Sequence, residues 1–123
     1  GVLVPVDASP APDAALALVL RLARALRAEP RVTLLHVGDA RSLGPIHVPH
    51  AVRGRVERRN VKGPVLEAIV SAAQEDDADL VVMPTRGHDG FLDALRGSTT
   101  ERVLRQARRA LLAVPAEVVP PAR

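Results

Sequence analysis

Cysteine, tryptophan and tyrosine are absent from this sequence, and Phe91 is its one phenylalanine. Without cysteine there is no disulfide, no thiolate nucleophile and no Cys-based zinc or iron–sulfur site. Without aromatics, the stacking platforms that hold single-stranded nucleic acid are almost missing. No apolar run approaches about 18 residues, so no membrane-spanning helix is expected. A large excess of one charge is lacking too: 17 Lys and Arg stand against 14 Asp and Glu, a formal charge of +3. The pI near 10.9 overstates basicity. Lys62 is the only lysine, and arginine stays charged to high pH. A polyanion partner is only weakly indicated, and nucleic acid is not expected. The opening Gly1-Val2-Leu3-Val4 carries no signal-peptide pattern, so Gly1 reads as a trimmed end. With no export signal and no disulfide, the cytoplasm is the expected compartment.

What is present suits one globular domain over residues 1–123, with 47% hydrophobic and 25% charged residues. Its core must be built mainly from Ala, Val and Leu. Val2 to Val6 is a β-branched run suited to a strand buried on both faces. Ser9-Pro10 is a helix-start signal, and a helix is expected from there to about Ala28, with Pro30 beyond it. Leu16, Val19, Leu20, Ala23 and Leu26 fall on one face of that helix. Residues 32–37 form a second apolar strand, and 38–54 a loop with room for a helical turn. Residues 55–61 alternate charges with valine and read as an edge strand. After the turn Lys62-Gly63-Pro64, a helix with Val65, Leu66, Ile69, Val70 and Ala73 on its apolar stripe ends near Asp76-Asp77. A fourth strand over 80–83 is expected to stop at Pro84. A helix beginning at Ser98 precedes a fifth strand over 111–114. Short apolar strands alternating with amphipathic helices imply an α/β fold: one parallel sheet with right-handed crossovers.

In such a sheet, ligands bind beyond the carboxyl ends of the strands, where the strand order reverses. Two strand ends carry distinctive residues: Val6-Asp7-Ala8-Ser9, and Met83-Pro84-Thr85-Arg86-Gly87-His88-Asp89-Gly90 followed by Gly97-Ser98. Glycines let backbone N–H groups approach an anion, and a helix starting at Ser98 adds its free N–H groups and dipole. That chemistry suits a phosphate. It is not a Walker A loop, because no lysine follows Gly97, and no G-x-G-x-x-G follows the first strand. Ser98-Thr99-Thr100-Glu101 is also a capping box, worth about 1 kcal/mol on its own, and capping competes for the same N–H groups. His36, inside an apolar strand, reads as a satisfied core histidine. His47, His50 and His88 have no metal-ligand spacing.

These residues resemble the universal stress protein family. Its signature is Gly, two residues, Gly, nine residues, then Gly-Ser or Gly-Thr. Gly87, the nine residues 88–96 and Gly97-Ser98 match it, and Pro84 stands at the first glycine. The likeness extends to Val-Pro-Val-Asp at the start, Leu-Leu-His-Val, Ala-Asp-Leu-Val-Val-Met, Gly-Ser-Thr-Thr-Glu-Arg-Val-Leu and Leu-Leu-Ala-Val-Pro. The resemblance implies an open, flavodoxin/Rossmann-like sheet of five parallel strands in the order 3-2-1-4-5, flanked by helices. It implies that Pro5 and Asp7 lie beside the ligand and that the main chain of Val37 meets adenine. Met83, Pro84, Thr85, Arg86, Gly87, His88, Asp89 and Gly90 would wrap ribose and phosphates. Gly97, Ser98, Thr99 and Thr100 would bind phosphate at the helix start.

The ligand implied is ATP or another adenine nucleotide, with or without Mg2+. The implied assembly is a homodimer through the last strand, and the implied role is a stress-response switch. Two alternatives stand beside it. One is a family member that binds no nucleotide and acts through its dimer or protein contacts; Pro84, with no N–H and a fixed φ, favours it. The other is a slow ATPase. Hydrolysis needs a metal, a placed water and charge compensation, and Asp7 and Asp89 are the obvious acids, so no catalytic residue is assigned.

Overall fold

The structure, a computed structural model, describes residues 1–6, 12–39, 41, 46–85 and 109–115. Five parallel strands form one sheet in the order β3-β2-β1-β4-β5. They are β1 (Val2–Val6), β2 (Val32–Val37), β3 (Val56–Val61), β4 (Leu80–Thr85) and β5 (Ala110–Pro115). Helix α1 (Asp13–Ala25) follows β1, and α2 (Val65–Glu75) joins β3 to β4. A short 3-10 helix, His50–Arg55, leads into β3. The expected strand order and the exposed edge position of β3 are both observed.

Alternation along the strands divides the core between the two faces of the sheet. On one face Val4, Val6, Val32, Leu34 and Val82 meet Ala15, Leu16 and Val19 of α1. On the other, Leu3, Leu35, Val81 and Met83 meet Ile69, Ala72 and Ala73 of α2. Burying a leucine such as Leu3 or Leu35, each fully enclosed, contributes about 2 kcal/mol. Both faces are covered, which is why β1, β2 and β4 read as unbroken apolar runs.

Helix α1 departs from the expected bounds. Within the described residues it begins at Asp13, with Pro12 at the N-cap and an acid in the first turn to complement the dipole. Ser9 and Pro10 lie outside the described residues. The helix stops at Ala25, short of Ala28. Arg27 turns left-handed at φ 52°, Ala28 N–H donates to the Ala23 carbonyl at 2.8 Å, and Arg27 N–H to Arg24 at 3.2 Å. These two bonds consume two of the orphan carbonyls of the last turn. Leu26 is the C-cap, beyond the packed residues of the helix, and is 74% exposed. Helix α2 ends by the same device at Asp77, φ 49°, with Ala78 donating to Ala73. Val65, expected on the α2 stripe, sits in its first turn and is half exposed.

Pro84 does not stop β4, as the sequence suggests it should. The strand runs through it to Thr85, and Pro84 stands opposite Val114 in the β4–β5 ladder. A strand tolerates a proline whose missing N–H faces no partner, and on the β1 side the ladder has already ended.

Candidate functional site

Pairing between β1 and β4 comprises Val2↔Leu80 and Leu3↔Val81 and goes no further. On their outer sides both strands stay paired to the end, β1 with β2 as far as Val6↔His36 and β4 with β5 as far as Thr85↔Pro115. Continued at the same register, Pro5 falls opposite Met83 and Pro84 opposite Val6. Each strand thus places a proline, a residue with no ladder donor, in the span where hydrogen bonding ceases. This is also where the strand order reverses, so the carboxyl ends of the two central strands no longer pair with each other.

Of the predicted site residues, the structure brings Pro5, Met83, Pro84 and Thr85 to these two strand ends. Pro5, Met83 and Pro84 are buried, so their side chains form floor rather than reaching groups. Val37 ends β2 on the same edge, beyond β1, and is half-buried. Asp7, Arg86, Gly87, His88, Asp89, Gly90, Gly97, Ser98, Thr99 and Thr100 lie outside the described residues, as do the helix expected at Ser98 and the terminal tail.

The loop after β2 is pinned. Gly38 takes φ 124°, a conformation that costs other residues strain. Its N–H donates to the Val61 carbonyl at 2.8 Å, and Asn60 Nδ2 donates to its carbonyl at 2.9 Å. Arg41 grips the Asp39 carboxylate through Nη2 at 3.1 Å, through Nε at 3.3 Å to both oxygens, and through its backbone N–H at 2.9 Å. That guanidinium holds the Asp39 carboxyl below the usual carboxylate range. Gly38, Asp39, Arg41, Asn60 and Lys62 line a recess of about 420 Å3 beside Val37. Sequence reasoning did not find this group. Its members are scattered over 25 positions, and only the β2–β3 register, with Val37 against Val61, brings them together.

His36 is buried, as expected, and both ring nitrogens meet carbonyls: Nδ1 lies 3.1 Å from the oxygen of Val6 and Nε2 3.0 Å from that of Asp39. A further recess, about 790 Å3, lies at the opposite edge, along the amino ends of β1, β2 and β3. Its surroundings hold structural ion pairs: Arg59 with Glu75 at 2.8 Å and Asp76 at 2.9 Å, and Arg55 with Glu29 at 3.8 Å. It is the larger space but stands at the wrong end of the strands for a ligand of this fold. Among the described residues, no three His, Asp or Glu side chains gather as a metal site, and no helix is long and apolar enough to cross a membrane.

A model of the Universal stress protein family matches residues 48–115, more than half of the chain. Among solved structures, the chain is similar to a universal stress protein in complex with cAMP, at 23% identity and TM-score 0.61, over 94% of this chain and 96% of that one. It is similar to universal stress protein UspA from Lactobacillus plantarum, at 23% identity and TM-score 0.60, over 92% and 95%. It is likewise similar to a universal stress protein family member from Burkholderia pseudomallei, at 27% identity and TM-score 0.53, over 93% and 94%. No curated protein matches the chain by sequence.

Proposed function

The chain belongs to the universal stress protein family, and we propose that it is an adenine-nucleotide-binding module of that family, acting as a stress-response switch rather than an efficient enzyme. The observation that carries this reading is the early end of the β1–β4 ladder at Leu3↔Val81. It frees the strand ends that lead into the glycine-bearing segment, on the edge where α/β sheets hold nucleotides. The similar universal stress protein that holds cAMP supports the same ligand class. ATP is the proposed ligand. Pro5, Asp7 and the main chain of Val37 take the base and ribose, residues 83–90 the ribose and phosphates, and residues 97–100 the phosphate end.

The fit is good at the strand ends, where β1 and β4 part and a buried apolar floor of Pro5, Met83 and Pro84 suits a nucleoside. Mg2+, when present, comes with the nucleotide, which supplies the charge it neutralises. The proposed assembly is a cytoplasmic homodimer formed along the outer edge of β5, the last strand in the sheet order. Ala110→Lys, placing a charge on an exposed edge position, is expected to shift the molecular weight measured by light scattering from dimer to monomer.

A second reading rests on Pro84. The proline removes an N–H from the edge of the cradle, which favours a member that keeps the fold and acts through protein contacts alone. Thermal melting with Mg-ATP separates the two. A ligand at 100 times its Kd adds about 2.7 kcal/mol to the native state and raises Tm by roughly 10 °C. No shift, with no nucleotide retained through purification, selects the second reading.

A further inference from the structure

A neutral imidazole has one N–H, and its other nitrogen carries a lone pair. Only the imidazolium donates from both. His36 sits with both ring nitrogens 3.0–3.1 Å from carbonyl oxygens, which are acceptors alone. The neutral ring therefore satisfies one carbonyl and turns a lone pair on the other, in a buried place where such a mismatch is not relieved by water. The two carbonyls are also not equivalent in the fold. Val6 is the last residue of β1, immediately before Asp7 in sequence, whereas Asp39 belongs to the loop after β2, two residues beyond Val37.

We propose that His36 is a proton-operated latch on the ligand edge of the sheet. Doubly protonated, the ring holds the Val6 and Asp39 carbonyls together and fixes the carboxyl ends of β1 and β2. Neutral, it releases one of them. The ring is a positioning residue. It acts through the backbone at two places next to the proposed nucleotide residues, Val6 between Pro5 and Asp7 and Asp39 two residues beyond Val37, and as regulation of binding it rests on that reading.

Among the described residues, the charges around His36 are paired with one another or exposed to solvent. From its own loop comes the Asp39 carboxylate, already gripped by Arg41, with a smaller pull between it and the ring. Opposite on β3 stands neutral Asn60, with Arg58 two residues before it on the same sheet face and exposed; Arg59 lies on the other face, paired with Glu75 and Asp76, and Lys62 follows the strand. On the sheet face shared with Val32 and Leu34, α1 presents Ala15, Leu16 and Val19, and its Asp13 is exposed. Ile46 and Val48 pack against the same cluster, with His47 between them exposed. Among Val2–Val6, β1 has no charged side chain.

The test reads the ring directly. Nitrogen-15 resonances of His36 in the native chain are recorded at about pH 5.5 and about pH 8.5, the range in which histidine ordinarily changes charge. Two N–H groups are expected at the lower pH and one at the higher, with the backbone amides of Gly38 and Asp39 moving in step. ATP affinity, measured in parallel, is expected to weaken roughly tenfold over that range, as suits the loss of one charge-assisted hydrogen bond. The non-titrating His36→Gln variant is expected to lose that part of the pH dependence. A ring with the same protonation at both pH values overturns the latch, and this result needs no variant to fold. Equal pH dependence in both proteins overturns its link to binding. If ATP binds at neither pH, the nucleotide reading falls and the regulation with it, while the ring resonances still decide the latch.

Discussion

Replacing Pro84 with glycine separates what the residue does for the fold from what it denies to the site. Pro84 is buried within β4, opposite Val114. Pro84→Gly removes three ring methylenes from a packed position, at about 0.8 kcal/mol each, and restores unfolded-state freedom worth about 1 kcal/mol. The ligand-free variant is therefore expected to be about 3 kcal/mol less stable, read from urea unfolding. The same change supplies an N–H where the family signature has its first glycine and where the β1–β4 ladder has already ended. A charge-assisted hydrogen bond to a phosphate contributes about 1.5–3 kcal/mol, so ATP affinity measured by calorimetry is expected to rise roughly 10- to 100-fold. Lower stability with an unchanged Kd would show that residue 84 donates nothing to the ligand. Unchanged stability would refute the packing argument itself.

Arg27→Gly relieves a left-handed residue at the α1 terminus and is expected to stabilise the chain by about 1 kcal/mol in thermal unfolding, since arginine at φ 52° carries strain that glycine does not. Leu16→Ala and Leu35→Ala empty opposite faces of the sheet, each at a cost of about 3 kcal/mol. With no shared cluster, their double mutant should be additive to within about 0.5 kcal/mol. For Asp39, the folded carboxyl is held low by Arg41, so this contribution to stability is present above the ordinary carboxylate range and is lost as pH falls through the lowered value. Carbon-13 titration should find its midpoint below about 3.9, and Arg41→Ala should return it toward that value.

The sheet was legible because each central strand is a short apolar run, and the two helices among the described residues alternate with them at the right spacing. Strand order came from family resemblance rather than from any pattern in the residues. Propensity misled where tertiary pairing took over. Pro84 reads as a stop signal, yet β5 holds the strand in place beyond it. Leu26 fits the apolar period of α1, but the helix ends before it, next to a left-handed residue that cannot be foreseen at an arginine, and Leu26 is exposed. At the candidate site, Val37 was legible as the end of β2, whereas Pro5 entered only through the family resemblance and the strand expected to end at Met83 runs on to Thr85. The Val6 carbonyl that meets His36 was not legible, because it lies thirty residues away on β1 and becomes a neighbour only through the β1–β2 register.

Mass spectrometry of the small molecule released by denaturing freshly purified chain addresses the central proposal most directly. An adenine nucleotide released in near-stoichiometric amount, and taken up again as ATP by the refolded protein, is the predicted result. A chain that releases none and takes up none would contradict the account.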